Sequence, residues 1–513
     1  EDYCARSALP KEEAFEILKR QAEQHKQDPF KSYLKRKEFE VNDSGVFSIR
    51  TDKNGNEVPE WLCDKLEIIA KTRDAQGCNW GHLATWKDQD GTLHEWAIPA
   101  SLLAGEHQQF IQTFLDRGLK ISNSKKHREL LANYIQRTDP TKRVRCVDQT
   151  GWHEDNFILP TESFGSGVVG EKETEKIILQ TLATVQKKFN SAGTLKEWQD
   201  HVAKYCENNS RLVMAVSMAF AGPLLKVVGE SGGGIHFYGG TSIGKTTMAY
   251  VGGSVWGGND ERGFIESWRA TANGIESVAA THNDSLLILD EINEIDPSQL
   301  TQVAYMLANG AGKLRGARNG GNRERLEWRL IFHSTGERTL GELLRQGGRQ
   351  IQGGQSVRMI DLPAEAKSNL GVFEDIHKFE DSASFAKYLG QQSRRLYGTA
   401  IRDYVEQLVK KSSPAKEAID SFRQQFILLV TANGVENESP EISRIRDRFS
   451  LIAAAGELAI QYGVLPWKNG EAFNGVSKCY FDWITERGGT GRADEEMALF
   501  QIRQFLQEYG NTT

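Results

Sequence analysis

A chain of 513 residues with 39% hydrophobic and 26% charged content reads as an ordinary globular protein, long enough for roughly three domains. Its formal net charge of −6 and pI near 6.1 exclude a broadly basic nucleic-acid coat, so any contact with DNA must come from local basic clusters. Six scattered cysteines (Cys4, Cys63, Cys78, Cys146, Cys206 and Cys479) show no metal-ligand or redox spacing, which points to reduced thiols in the cytoplasm. No apolar run approaches the ~18 residues of a membrane span. The opening "EDYC" carries no signal peptide and no initiator Met, as expected of a trimmed or processed start.

Residues 1–40 are polar and helix-prone and read as a peripheral arm. From 41 to 165 short alternating runs are broken by turn signals. In "GCNWGHLATWKDQDGTLHEWAIP" the turn Asp88-Gln89-Asp90-Gly91 separates two strand-like runs, which predicts a β-hairpin. "GWHEDNFILP" is a second strand-like run, and the region reads as a β-rich domain. Its Trp80, Trp86, Trp96 and Trp152 suit either a small β core or a stacking surface for single-stranded bases. Residues 166–230 carry apolar residues at helical spacing and are expected to be a helical linker. From 231 to 365 apolar strands alternate with helical patterns, the mark of a parallel α/β sheet. Residues 366–513 are expected to be mostly amphipathic helix.

The chemistry concentrates in the parallel region. "IHFYGGTSIGKTT" sets an apolar strand directly before Gly239-Gly240-Thr241-Ser242-Ile243-Gly244-Lys245-Thr246-Thr247. Glycines at both ends of such a loop let backbone N–H groups turn around a phosphate. Lys245 would then reach the β- and γ-phosphates of ATP, and the Thr246 hydroxyl would ligate Mg²⁺. A Gly-rich turn without a ligand is the plain alternative. Further on, "SLLILDE" is an unbroken apolar strand, as a strand buried on both faces requires, and it ends in Asp290 and Glu291. Asp290 would hold Mg²⁺ through water, and Glu291 would polarise the attacking water.

In "EIDPSQLTQVAYMLANG", Asp296, Pro297 and Gln299 are N-terminal helix signals, and Leu300, Val303, Ala304, Leu307 and Ala308 form one stripe. A basic segment follows, with Lys313, Arg315, Arg318, Arg323 and Arg325 around the turn signal Asn319-Gly320-Gly321-Asn322. It suits a phosphate backbone, with a solvated surface hairpin as the plain alternative. The next strand, "RLIFHSTGE", ends in Ser334 and Thr335, placed to position a lytic water or merely to cap the strand. Arg358 precedes the strand "MIDLP" on the rim, away from the chain's own phosphates but open to a neighbour's.

These phrases, together with "GTLKEW", "SVWG", "WRATANGIE", "YMLANGAGKLR" and "RFSLIAAAGELA", resemble the AAA+ ATPases. Within them the likeness is to a domain-of-unknown-function family of phage, plasmid and mobile-element replication proteins, some similar to minichromosome-maintenance (MCM) helicases. It covers roughly residues 41–510. The resemblance implies an AAA+ P-loop core with a β-hairpin inserted before the sensor strand, a β-rich N-terminal domain and a helical C-terminal lid. It implies a homo-oligomeric ring, expected to be hexameric, whose basic hairpins grip single-stranded or forked DNA, with a loader or primase as further partner. It also implies a second sensing arginine, for which Arg444 is the choice over Arg446 and Arg448 and an exposed helix face the alternative, and relatives that continue past "YGNTT". An ATP-driven translocase or helicase leads. An initiator or loader switch that does not translocate is the first alternative, and a nucleotide-gated defence or scaffold protein the second.

Overall fold

Apolar residues at every second position in the first third of the chain produce short antiparallel strands. The structure is a computed structural model that describes residues 38–105, 108–160, 162–165, 168–169, 172–173, 175–180, 188–259, 261–316, 322–323, 325–346, 358–435 and 439–489. The arm expected over the first 40 residues lies almost wholly outside them. The chain divides into two units, one ending at Cys146 and one starting at Val147.

In the first unit β1 (Phe39–Asn42), β2 (Gly45–Thr51) and β3 (Glu57–Cys63) form an antiparallel meander. A second sheet joins β4 (Leu66–Arg73), β5 (Gly81–Lys87) and β6 (Leu93–Pro99) with β7 (Arg143–Val147), which pairs parallel to β4. The expected hairpin is β5–β6. The Asp88 carboxylate shapes its turn by accepting from Asp90 N at 3.0 Å and Thr92 N at 2.8 Å. Helices α1 (Gln108–Asp116) and α2 (Lys125–Arg137) supply Phe110, Phe114, Leu131 and Ile135 to a core that also buries Trp86 and Trp96. Trp80 stays exposed.

The second unit starts with a small antiparallel sheet of β8 (Gly151–His153), β9 (Asn156–Ile158) and β10 (Ser163–Phe164), so "GWHEDNFILP" is a hairpin rather than one strand. Short strands β11 (Val168–Val169), β12 (Lys172–Glu173) and β13 (Lys176–Leu179) occupy the start of the stretch expected to be helical. Among the described residues of that stretch helix begins at α3 (Leu195–His201), where Thr194 and Glu197 form a capping box. The hydrophobic α4 (Ser210–Ala221) and short α5 (Leu224–Val228) follow.

The body of this unit is a five-stranded parallel sheet. Its strands are β14 (Gly233–Tyr238), β15 (Ile265–Ser267), β16 (Ser285–Asp290), β19 (Leu330–Gly336) and β20 (Met359–Pro363), in the order β15-β16-β19-β14-β20. Between β16 and β19 the chain also forms β17 (Arg315–Gly316) and β18 (Asn322–Arg323), which pair with each other. The connecting helices are α6 (Lys245–Ser254), α7 (Ala272–Thr281), α8 (Pro297–Asn309) and α9 (Leu340–Gln346).

Alternation sends Leu286 and Ile288 of β16 to one face and Leu287 and Leu289 to the other, so the strand carries no polar stripe. Leu300, Val303, Ala304 and Leu307 of the α8 stripe pack with Leu287 and Leu289. On the opposite face α4 and α6 join the C-terminal helices α10 (Ser382–Arg395), α11 (Thr399–Lys410), α12 (Ser412–Ala432), α13 (Pro440–Gln461) and α14 (Glu471–Arg487). The fold is thus mixed α/β with a parallel sheet and a helical C-terminal region. Among the described residues no helix is long and apolar enough to cross a membrane.

Candidate functional site

Parallel strands end together, so the carboxyl ends of β14, β16, β19 and β20 meet along one edge of the sheet, where ligands of open α/β sheets bind. The loop after β14 runs through Gly239 and Ser242 (φ 61°) into α6. A cavity of about 730 Å³ opens there, lined by Thr241 to Thr247, Glu291, Glu337 and the segment after β20. The Lys245 ammonium folds back onto the loop, donating to the carbonyls of Gly239 at 2.7 Å and Gly240 at 2.6 Å. Desolvation pushes its pKa down, and Glu291, Glu337 and Asp290 pull it back up.

Strand β19 lies between β14 and β16 and so spaces the loop from Asp290 by two strand widths, about 9.5 Å. Lys245 and Glu291 line the same cavity from the two sides of that gap. Thr335 sits in the middle. Its hydroxyl donates to Asp290 Oδ1 at 2.5 Å and accepts from Glu291 N at 3.0 Å. Glu291 has left-handed backbone angles (φ 59°, ψ 76°), a costly state for a non-glycine residue that this hydrogen bond helps to hold. Desolvation raises the pKa of its carboxyl, aided by Asp290 and Glu337, while Asn293, which donates to its Oε1 at 2.8 Å, opposes the rise.

The oxygens of Thr246 and Asp290 are the hard donors that Mg²⁺ prefers, and Mg²⁺ is commonly held by one or two carboxylates plus substrate phosphates. Among the described residues no group of three or more His, Cys, Asp or Glu is arranged for a metal.

Ser334 is not at the site. Strand alternation turns it away from Thr335, and its buried hydroxyl is bonded to His236 Nδ1 at 2.8 Å while accepting from Trp268 Nε1 at 3.0 Å. It is a core residue rather than a water-positioner. Arg444 is exposed and does not line the cavity. Arg448, one turn on, lies against Gly233 at the start of β14, the end of that strand away from the loop. Arg358 precedes β20, also at the opposite end of the sheet, and donates to Asn309 Oδ1.

In the basic segment, Ala311 bridges Glu327, Gly312 N donates to Leu326 O at 2.8 Å and Trp328 N to Gly310 O at 2.8 Å, so both legs are fastened at their base. Lys313 is exposed, and Arg325 Nε donates to Gly312 O at 2.7 Å. Arg315 and Arg323 occupy paired positions of the antiparallel ladder. Arg318 and the turn signal up to Gly321 lie outside the described residues. Reading the sequence missed Glu337, Asn293 and the cavity wall after β20. Glu337 stands in the quoted "STGE" and Asn293 two residues past the carboxylate pair, whereas the wall has no motif.

By fold and cavity, then, this is a parallel α/β protein whose sheet edge gathers a glycine loop, an ammonium and paired carboxylates. A family model described as "Domain of unknown function (DUF927)" matches residues 39–327, more than half of the chain, and the chain belongs to that family. The solved structure "SCCmec type IV Cch - active helicase" is similar at a TM-score of 0.64 and 15% identity, over 93% of this chain and 83% of that one, which is a likeness of fold. "The A form apo structure of NrS-1 C terminal region-CTR" matches at a TM-score of only 0.27 and 9% identity, over 77% of this chain and 87% of that one. No curated protein matches the chain.

Proposed function

We propose that the chain is an AAA+ ATPase that assembles into a ring, expected to be hexameric, and works as a DNA translocase or helicase in replication of a mobile element. Its ATPase core would span residues 231–365, with the β-rich domain before it and the helical lid after it. The observation that carries the reading is the Thr335 hydroxyl joining Asp290 to the backbone of Glu291, across one strand from the Lys245 loop. A nucleotide-storage site needs the loop; only hydrolysis needs a positioned second carboxylate.

In this reading backbone N–H groups of the loop and Lys245 bind the phosphates of ATP, and Thr246 and Asp290 hold Mg²⁺, which when bound neutralises charge on the phosphates. Glu291 takes a proton from the attacking water as general base. The raised pKa of its carboxyl brings it closer to that role. Arg358, at the sheet end away from the chain's own cavity, is assigned to a neighbouring subunit's γ-phosphate. No role is assigned to Arg444.

Lys313, Arg315, Arg318, Arg323 and Arg325 would grip single-stranded or forked DNA in the pore, with a loader or primase as partner. The fold shared with an active helicase supports this choice. The test compares ATP hydrolysis with and without single-stranded DNA in the wild type and in an Arg315→Ala/Arg318→Ala/Arg323→Ala variant. DNA should stimulate the wild type, and the variant should lose that stimulation together with part of the salt dependence of binding. If DNA neither binds nor stimulates, the helicase reading fails, and a switch that remodels a protein or origin complex takes its place.

A further inference from the structure

The phosphate chemistry leaves half of the cavity unused. Beyond the loop it is lined by Glu365, Asn369, Leu370, Phe373, Ala383 and Ala386, all from the stretch after β20. We propose that this half seats the nucleobase, and that Asn369 selects adenine over guanine. The proposal rests on the nucleotide reading above and supplies residues for the part of the ligand that reading leaves open.

This half is built, and it is joined to the phosphate loop. Val372 N donates to Ile243 O at 2.9 Å, and Ala364 N to Tyr238 O at 2.8 Å. Gly371 (φ 70°) makes the approach possible, because a Cβ there would lie 2.3 Å from Ile243 O; a Cβ on Gly244 (φ 103°) would lie 2.8 Å from Val372 Cγ2. Arg211 fixes the near end of the wall. Its buried guanidinium donates to Pro363 O at 3.1 Å, Glu365 O at 3.0 Å and Asp482 Oδ2 at 2.7 Å. The far end is held by Asn209 Oδ1, which accepts from Glu374 N at 2.8 Å and Asp375 N at 3.1 Å. Glu374 in turn accepts from Ser210 Oγ at 2.7 Å and Lys478 Nζ at 2.7 Å. A wall anchored at both ends is formed before the ligand arrives.

Its chemistry matches a base. Leu370, Ala383 and Ala386, backed by the buried Phe373, offer apolar surface for a flat ring, beside a loop proposed to take anions. Asn369 is exposed, and among the described residues its amide has no hydrogen-bond partner. An amide presents one donor and one acceptor side by side. Adenine answers with N6–H₂ and N7, whereas guanine shows two acceptors, O6 and N7, on the same edge. One of the two pairs is then lost.

The test is calorimetric titration of the full chain with ATP and with GTP, for wild type, Asn369→Gly, Asn369→Asp and Lys245→Ala. Glycine removes the amide yet tolerates the left-handed backbone of Asn369 (φ 62°). Wild type should bind ATP about 5- to 150-fold more tightly than GTP, the range expected of a bidentate amide–adenine pair. Asn369→Gly should bring the two within a few-fold by weakening ATP more than GTP, which loses only the one pair it keeps. Asn369→Asp, which has lost the donor to N7, should weaken ATP at least as much. Equal wild-type affinities, or a preference that survives both Asn369 variants, would overturn the proposal; loss of both nucleotides in Lys245→Ala would then show that the nucleotide reading still stands. If wild type binds neither nucleotide, both readings fall.

Discussion

Replacing Thr335 by valine keeps the β-branched shape that suits a central strand and removes only the hydroxyl. That hydroxyl makes two hydrogen bonds, one to the Asp290 carboxylate at 2.5 Å and one from Glu291 N at 3.0 Å. A hydrogen bond to a charged group contributes about 1.5–3 kcal/mol, and the Glu291 N–H left without its partner costs about 1–3 kcal/mol. If the first loss falls on the transition state, hydrolysis slows roughly 10- to 150-fold. The second falls on the folded state and should lower the melting temperature by a few degrees. Steady-state hydrolysis and thermal melts measure the two, and Thr335→Ser, which restores the hydroxyl, should recover most of both. A valine variant whose kcat stays within about threefold of wild type, with serine no better, would refute the idea that Thr335 sets the carboxylates.

Ser334→Ala should act in the opposite sense. It leaves Trp268 Nε1 and His236 Nδ1 without a partner in the core, which costs about 1–3 kcal/mol of stability, while hydrolysis per folded molecule should hold; a calorimetric melt beside the rate decides it. Asn293→Ala removes a donor that holds the Glu291 carboxyl pKa down. A general base must be deprotonated, so the acid limb of the pH–kcat profile should move to higher pH; an unmoved limb would take Glu291 out of the base role. Asp361, desolvated under the first turn of α9, has its carboxyl lifted from 3.8 to about 7 although Leu340 N donates to it at 3.1 Å. A carboxyl raised in the folded state favours folding below its unfolded pKa, and that contribution is lost as pH rises to about 7. Asp361→Asn should therefore flatten the fall in stability between about pH 4 and 7, as read by denaturant unfolding.

Much of the fold was legible because local chemistry and tertiary environment agreed. The β5–β6 turn followed from an aspartate that caps its own loop, and α8 from its N-terminal signals and single apolar stripe. The unbroken apolar run of β16 implied burial on both faces, which the sheet provides. Agreement broke down where the environment had to choose. The stretch 166–230 reads as helix by its apolar spacing, yet its residues 168–169, 172–173 and 176–179 form short strands. Ser334 and Thr335 are neighbours with the same functional group, and only the pleat of β19, the strand between those that carry the two motifs, sends one to the core and the other to the carboxylates.

The sequence by itself determined the parts that act through the backbone or through adjacent positions: the glycine loop with Lys245 and Thr246, the Asp290–Glu291 pair, and the cluster of cations between α8 and β19. Each depends on spacings of a few residues, which the chain carries along its own length. Tertiary structure decided what depends on distance across the sheet. It set the loop and carboxylates apart by the width of β19, kept Arg444 out of the cavity, and drew Asn369 and Phe373 beside a loop more than a hundred residues earlier in the chain. The reason is geometric: strand order and pleat fix which side chains share a space, and neither is written in any short run of residues.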